Sequence, residues 1–208
     1  YVVRWPAIAT VPRSPGSAII PAMAEPIRAL WQVNQALLGF LQTHRRVAVA
    51  TLDMDATLIE THKREALPCY KGFKAYQPLN CWWAEQGVVL HSEFRDGNVP
   101  AGYQQLRVLK DCLAAAVATG ITKVYLRSDS AGYQQDLLLY CGEGKDARFG
   151  VIEFAVSADV TEEFRKAARA VADADWQPLY RTVEGQHYKT DQEFAEVCFV
   201  PAWAGHSR

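Results

Sequence analysis

The 208-residue sequence is marked first by what it lacks. No apolar run approaches the roughly 20 residues that cross a bilayer, so no membrane helix is expected. The five cysteines, Cys69, Cys81, Cys112, Cys141 and Cys198, are odd in number and form no CxxC pair. That argues against a disulfide framework and a zinc knuckle, and reads as buried free thiols in a reducing cytoplasm. The five histidines are scattered and form no ligand pair. Charge of one sign is also missing. Lys and Arg number 22 against 23 Asp and Glu, for a net charge of −1. A dedicated nucleic-acid binder usually carries a basic excess, so any DNA affinity has to come from local patches. There is no internal repeat and no low-complexity tract, and Gly142-x-Gly144 lacks the rest of a phosphate loop. The segment from Tyr1 to Pro15 holds three prolines, two arginines and no long apolar block, so it does not read as a signal peptide. The chain starts at Tyr1 without an initiator Met and reads as a fragment.

What is present suffices for a sizeable core: half of the residues are hydrophobic. Residues 1–22, rich in Pro and small side chains, read as an arm or linker. Residues 26–43 repeat Ile27, Leu30, Trp31, Leu37, Leu38 and Leu41 at helical spacing behind Pro26. A strand from Val47 to Asp53 or Asp55 follows, with Val47, Val49, Thr51, Asp53 and Asp55 on one face. After a polar loop over 56–69, strands over 73–83 and 88–94 are joined by Glu85-Gln86-Gly87 as a hairpin turn. Further elements are a helix over 100–119 stopped by Gly120, a strand over 121–126 and a helix over 131–140. A strand over 149–156 and a helix over 160–172, capped by Asp159 or Thr161, follow. Residues 173–208 look strand-like, with 194–200 the clearest run. An early hairpin followed by strand–helix alternation predicts an α/β mixed sheet. Parallel pairing of the first and fourth strands would bring Asp55 and Asp129 to one sheet edge, where α/β active sites lie.

Two constellations carry chemistry. In Thr51-Leu52-Asp53-Met54-Asp55-Ala56-Thr57-Leu58, two carboxylates alternate along one strand face and can share a hard cation. In Leu126-Arg127-Ser128-Asp129-Ser130-Ala131-Gly132-Tyr133, Asp129 ends a strand and either holds metal or caps the next helix. Carboxylates on neighbouring strand ends suit metal-assisted phosphoryl transfer. Lys63, Arg64, Lys71 and Lys74, interleaved with Tyr70, Phe73 and Tyr76, form a basic cluster that suits a DNA backbone. Arg95 and Arg127, at strand ends, are further candidates for phosphate contact. Of Trp82 and Trp83, one is expected to face the core.

Four segments in order resemble the insertion-sequence transposases of DDE domain group 1. They are Leu52-Asp53-Met54-Asp55-Ala56-Thr57, 70–79 (Tyr-Lys-Gly-Phe-Lys-Ala-Tyr-Gln-Pro-Leu), Arg95-Asp96-Gly97-Asn98-Val99-Pro100 and Arg127-Ser128-Asp129-Ser130-Ala131-Gly132-Tyr133. The resemblance spans about 25–203. It implies an RNase H-like fold and cut-and-paste chemistry on transposon-end and target DNA, with two Mg²⁺ (or Mn²⁺) ions in the complete enzyme. It also implies a dimer on DNA and a cytoplasmic, nucleoid-associated protein. The first catalytic acid falls on Asp55, with Asp53 as the close alternative, and the second on Asp129. Asp55 and Asp129 are the implied metal ligands. The third acid such enzymes use, a Glu on a later helix beyond a β-rich insertion, has no good match. Residues 23–172 then read as an incomplete core, 173–208 as the start of that insertion, and the chain alone as inactive. Two alternatives stay open. One is a non-catalytic transposase remnant. The other is a haloacid-dehalogenase-like phosphatase, in which Asp53 is the nucleophile and Asp55 the general acid/base.

Overall fold

The structure is a computed structural model and describes residues 20–22, 24–197, 199 and 201. Most of the expected arm, and Cys198, lie outside the described residues. The chain forms two compact units that divide between Ala158 and Asp159.

The first unit opens with α1 (Glu25–His44). β1 (Val49–Ala56) follows, then the short strands β2 (Ile59–Glu60) and β3 (Ala75–Tyr76), then β4 (Leu79–Trp83) and β5 (Val88–Glu93). The rest is α2 (Gln105–Ala118), β6 (Lys123–Ser128), a 3-10 turn (Ser130–Gly132), α3 (Gln135–Gly142) and β7 (Glu153–Val156). Five strands form one sheet in the order β5-β4-β1-β6-β7. β1 is central, antiparallel to β4 and parallel to β6. β4–β5 is antiparallel and β6–β7 parallel. This five-stranded mixed sheet flanked by helices is consistent with the RNase H-like arrangement, including the parallel pairing of the first long strand with the one that leads to Asp129.

β1 alternates as its sequence demands. Ala50, Leu52 and Met54 are buried, whereas Val49, Thr51 and Asp53 are half-buried and Asp55 is exposed. The buried face packs on Val108, Leu109, Cys112, Leu113 and Ala116 of α2 and on Leu137 and Cys141 of α3, with Trp83, Leu90 and Leu126 beside them. Trp83 is fully buried and donates its indole N–H to the Val49 carbonyl at 3.1 Å, whereas Trp82 stays 42 % exposed on the opposite face. α1 protects the free edge of β5. Its Asn34 amide donates to the Val89 and Leu90 carbonyls at 3.3 and 3.2 Å, which occupies groups that would otherwise invite another strand. Cys69, Cys81, Cys112 and Cys141 are buried free thiols.

Several element boundaries differ from the sequence reading, each for a local reason. The strand expected over 73–83 is split at Gln77-Pro78, because the Gln77 amide donates out of the main sheet to the Arg95 carbonyl at 3.0 Å. The helix expected from 100 starts only at Gln105, since Gln104 adopts a left-handed conformation (φ 52°) that breaks the run. The helix expected over 131–140 is a 3-10 turn and then α3. β7 starts at Glu153 rather than 149, because the Asp146 carboxylate takes the amides of Arg148 and Phe149 at 2.9 and 2.8 Å and holds them in a turn.

The second unit holds α4 (Glu162–Arg169), a 3-10 turn (Asp173–Asp175) and the hairpin of β8 (Gln177–Val183) and β9 (Gln186–Phe194). Thr161 is the cap of α4, its hydroxyl accepting from the Phe164 amide at 3.2 Å; Asp159 is not. The run expected over 194–200 is not a strand over 195–197. Among the described residues, Phe194 is the last in the ladder, opposite Gln177, the first residue of β8.

Candidate active site

The parallel register brings the two constellations together. Asp53 lies opposite Arg127, and Met54 opposite Ser128. Asp55 and Asp129 are each the next residue along, at the carboxyl ends of adjacent parallel strands. The Ser128 hydroxyl donates to the Met54 carbonyl at 3.0 Å, which ties the two strand ends together one residue before each acid. Asp129 also caps the 3-10 turn, its Oδ1 accepting from the Ala131 amide at 2.9 Å. Capping and metal binding are compatible, since a carboxylate has further lone pairs.

Glycines shape this edge by leaving space. A Cβ on Gly132 would stand 2.5 Å from both Cβ and Oγ of Ser128. A Cβ on Gly102 would stand 2.7 Å from the Gln134 amide nitrogen and 3.1 Å from the Ala131 carbonyl. The segment after Pro100 therefore packs directly on the loop after Asp129.

The three aspartates differ in their partners. Asp53 makes an ion pair with Arg127, straight across the parallel pair. Among the described residues, neither Asp55 nor Asp129 makes an ion pair. Asp55 accepts a hydrogen bond from the Thr57 hydroxyl at 3.5 Å, and Asn80 lies opposite it on β4, held by Ser92 at 2.7 Å. Asp55 and Asp129 are thus exposed anionic oxygen donors, the type that a hard divalent cation prefers. Among the described residues, no group of three His, Cys, Asp or Glu side chains is arranged to hold a metal. Glu153 is exposed on β7 and pairs with Lys123 at 3.5 Å; Glu196 lies in the second unit.

The candidate DNA-contact residues fall into three places. Lys63, Arg64, Lys71 and Lys74 are exposed on the excursion over 57–78 that leaves β1 just past Asp55. Arg127 is half-exposed but engaged by Asp53. Arg95 lies in the β5–α2 connection and is fully buried, with its Nε 2.8 Å from Glu93. Burial pulls its pKa below the ordinary arginine value, only partly offset by Glu93. A guanidinium with no exposed surface cannot meet a phosphate, so this candidate does not fit its position.

Sequence reasoning missed Glu85, read only as a turn residue. Its carboxylate accepts from the amide and hydroxyl of Thr51 at 2.7 and 2.5 Å, on the same β1 face as Asp53. Burial pushes its pKa up, but these hydrogen bonds and the nearby Arg127 outweigh it and leave the group below the usual carboxylate value. It also missed Asp96, which is buried and accepts from the amides of Leu67 and Gly97 at 2.9 and 2.8 Å. Asn80 could have been flagged only by knowing the β1–β4 register.

Asp55 and Asp129 stand at the carboxyl ends of adjacent parallel strands of a mixed sheet, the edge where α/β sites lie. The model of one family, transposase DDE domain group 1, matches residues 21–204, and the chain belongs to that family. No curated protein and no solved structure matches it. The phosphatase alternative is not favoured: it needs a helix after the Asp53-Met54-Asp55 strand, and the excursion with β2 and β3 stands there instead.

Proposed function

We propose that this chain carries two of the metal-binding carboxylates of a transposase acting on the phosphodiester backbone of transposon-end and target DNA. Asp55 and Asp129 are the ligands. One observation supports this most: they end adjacent parallel strands and, among the described residues, neither has a cationic partner, whereas Asp53 has Arg127. A carboxylate already neutralised by a guanidinium gains less from a metal than a free one, so Asp53 acts as a positioning group. Divalent ions there, Mg²⁺ or Mn²⁺, would activate the attacking oxygen and stabilise the leaving one. The protein's part is to hold Asp55 and Asp129 at one edge and to align the DNA backbone beside them. Lys63, Arg64, Lys71 and Lys74 are the residues proposed to contact that backbone, in an assembly that is a dimer on DNA.

The hairpin β8–β9 is proposed to be the start of a β-rich insertion. None of its residues is buried, and an isolated two-stranded hairpin is marginal in water. With two carboxylates and, among the described residues, no third beside them, a divalent ion keeps mostly water ligands, and this chain alone should cleave DNA poorly.

The test has two arms. Mn²⁺ binding to the 208-residue chain, followed by titration calorimetry, should be weak and should be lost in both Asp55→Asn and Asp129→Asn. Nicking of transposon-end DNA by this chain should be slow. Metal binding untouched by either substitution would overturn the ligand assignment. Metal-dependent nicking by this chain that vanishes in Asp129→Ala would show that a third ligand is already present.

A further inference from the structure

The excursion over 57–78 holds Lys63, Arg64, Lys71 and Lys74 against only Glu60 and Glu65, a net +2 within a chain of net −1. It is not a loose loop. β2 and β3 pair at its base, with Ile59 opposite Tyr76 and Glu60 opposite Ala75. Above them the Thr61 amide donates to the Lys74 carbonyl at 3.0 Å, and Pro68 bridges Lys74. At the tip the Cys69 amide donates to the Phe73 carbonyl at 2.8 Å, around a turn in which Gly72 takes a positive φ of 87°. Ala66, Cys69 and Ala75 are buried. The cations are held as well. The Lys63 and Lys71 ammonium groups lie 5.9 and 5.7 Å from the ring centres of Tyr76 and Tyr70, and the Lys74 ammonium donates to the Arg64 carbonyl at 3.0 Å.

One carboxylate fastens this excursion to the sheet. Asp96 is 4 % exposed, and its Oδ1 accepts from the Leu67 amide, 29 residues away in sequence, and from the Gly97 amide. Its backbone bridges Tyr76. Gly97 sits so close that a Cβ there would stand 2.4 Å from the Ala75 carbonyl and 2.6 Å from the Leu67 carbonyl. The Arg95-Asp96-Gly97 turn is thus inserted between the two limbs of the excursion and holds both.

We infer that Asp96 is a positioning residue that holds this excursion as a preorganised contact surface for the phosphate backbone of duplex DNA. The inference rests on the transposase reading for its ligand. Ordering long basic side chains at the moment of binding costs affinity, and a surface fixed beforehand avoids that cost. The position is apt, because the excursion leaves the sheet at the edge that carries Asp55.

The sign of the effect makes the idea testable. Removing the Asp96 charge makes the chain less acidic, so undirected attraction to DNA would strengthen in Asp96→Ala. A positioning role predicts the reverse. The experiment measures binding of a labelled non-specific duplex by the full chain in EDTA, as a function of salt. Each phosphate that is no longer neutralised lowers the slope of log K against log salt by about 0.9. The expected result is binding weakened at least about fivefold in Asp96→Ala, with a shallower slope, and held within about twofold in Asp96→Asn, which keeps the acceptor oxygen. In a Lys63→Ala, Arg64→Ala, Lys71→Ala, Lys74→Ala background, Asp96→Ala should add nothing. Should Asp96→Ala not fold, Asp96→Glu makes the comparison: it keeps the charge, displaces the carboxylate by one methylene, and should also weaken binding. Unchanged or tighter binding in Asp96→Ala and Asp96→Glu would overturn the inference, as would an equal loss in the background that lacks the excursion's cations. Absence of salt-dependent binding by the unaltered chain would overturn it too, while Mn²⁺ binding at Asp55 and Asp129 would leave the metal-site reading standing.

Discussion

Gly132→Ala tests whether the Asp129 edge is built as tightly as its geometry says. Gly132 has no positive φ, so alanine meets no backbone penalty there, and the whole effect comes from space. The added methyl would stand 2.5 Å from Cβ and Oγ of Ser128, with Val156 behind it at 3.6 Å. Real Cβ contacts of that length do not occur, so Ser128 must move. Its hydroxyl makes the 3.0 Å bond to the Met54 carbonyl between β6 and β1. Overpacking of this kind costs about 1–3 kcal/mol. Losing the hydrogen bond adds about 0.5–1.5 kcal/mol. A combined loss of about 2–4 kcal/mol corresponds to a fall in Tm of roughly 5–15 °C for a chain of this size. Thermal unfolding followed by circular dichroism measures it. Ser128→Gly removes both clashing atoms, so adding Gly132→Ala to it should cost much less than in the unaltered chain. A Gly132→Ala chain as stable as the parent, within about 0.5 kcal/mol, would refute the reasoning.

Gly97→Ala should be more damaging still, because the clashing atoms are the Ala75 and Leu67 carbonyl oxygens, which cannot rotate away; loss of cooperative unfolding is the expected readout. In a cleavage-competent transposase containing this domain, Asp55→Asn should abolish strand cleavage while Asp53→Asn only weakens it, and equal loss in the two would show that the first acid is misassigned. Tyr140 should ionise at about 12, since burial and then the Asp146 carboxylate that accepts its hydrogen bond both hold the phenol neutral; ultraviolet difference titration reads this directly. A raised phenol pKa favours the folded state below the unfolded value of 10.0 and loses that contribution as pH rises through about 12, so Tyr140→Phe should flatten the alkaline limb of stability in that window. His91 has the opposite sign. Burial, more than its charged neighbours, pulls its pKa below 6.5, so stability should fall as pH drops through 6.5, and His91→Gln should remove that slope.

The sequence by itself determined the mixed α/β class, the order of strands and helices, and the two acids at strand ends. These are encoded locally. Alternation along 49–55 defines a strand with one buried face, and apolar spacing in 26–43 defines a helix. The ordered motifs around Asp55 and Asp129 pointed to the family that the family model then matched. Only the tertiary structure separated Asp53 from Asp55, because both share a strand face and the difference is which of them meets Arg127 across a parallel register. Only packing showed that Arg95 is buried rather than facing DNA, and that Asp96 and Gly97 fasten a segment some 20 to 30 residues earlier in the chain. Such facts depend on partners distant in sequence. A short window records that a residue is charged or small, but the fold decides whether that charge meets water, a guanidinium or a buried amide.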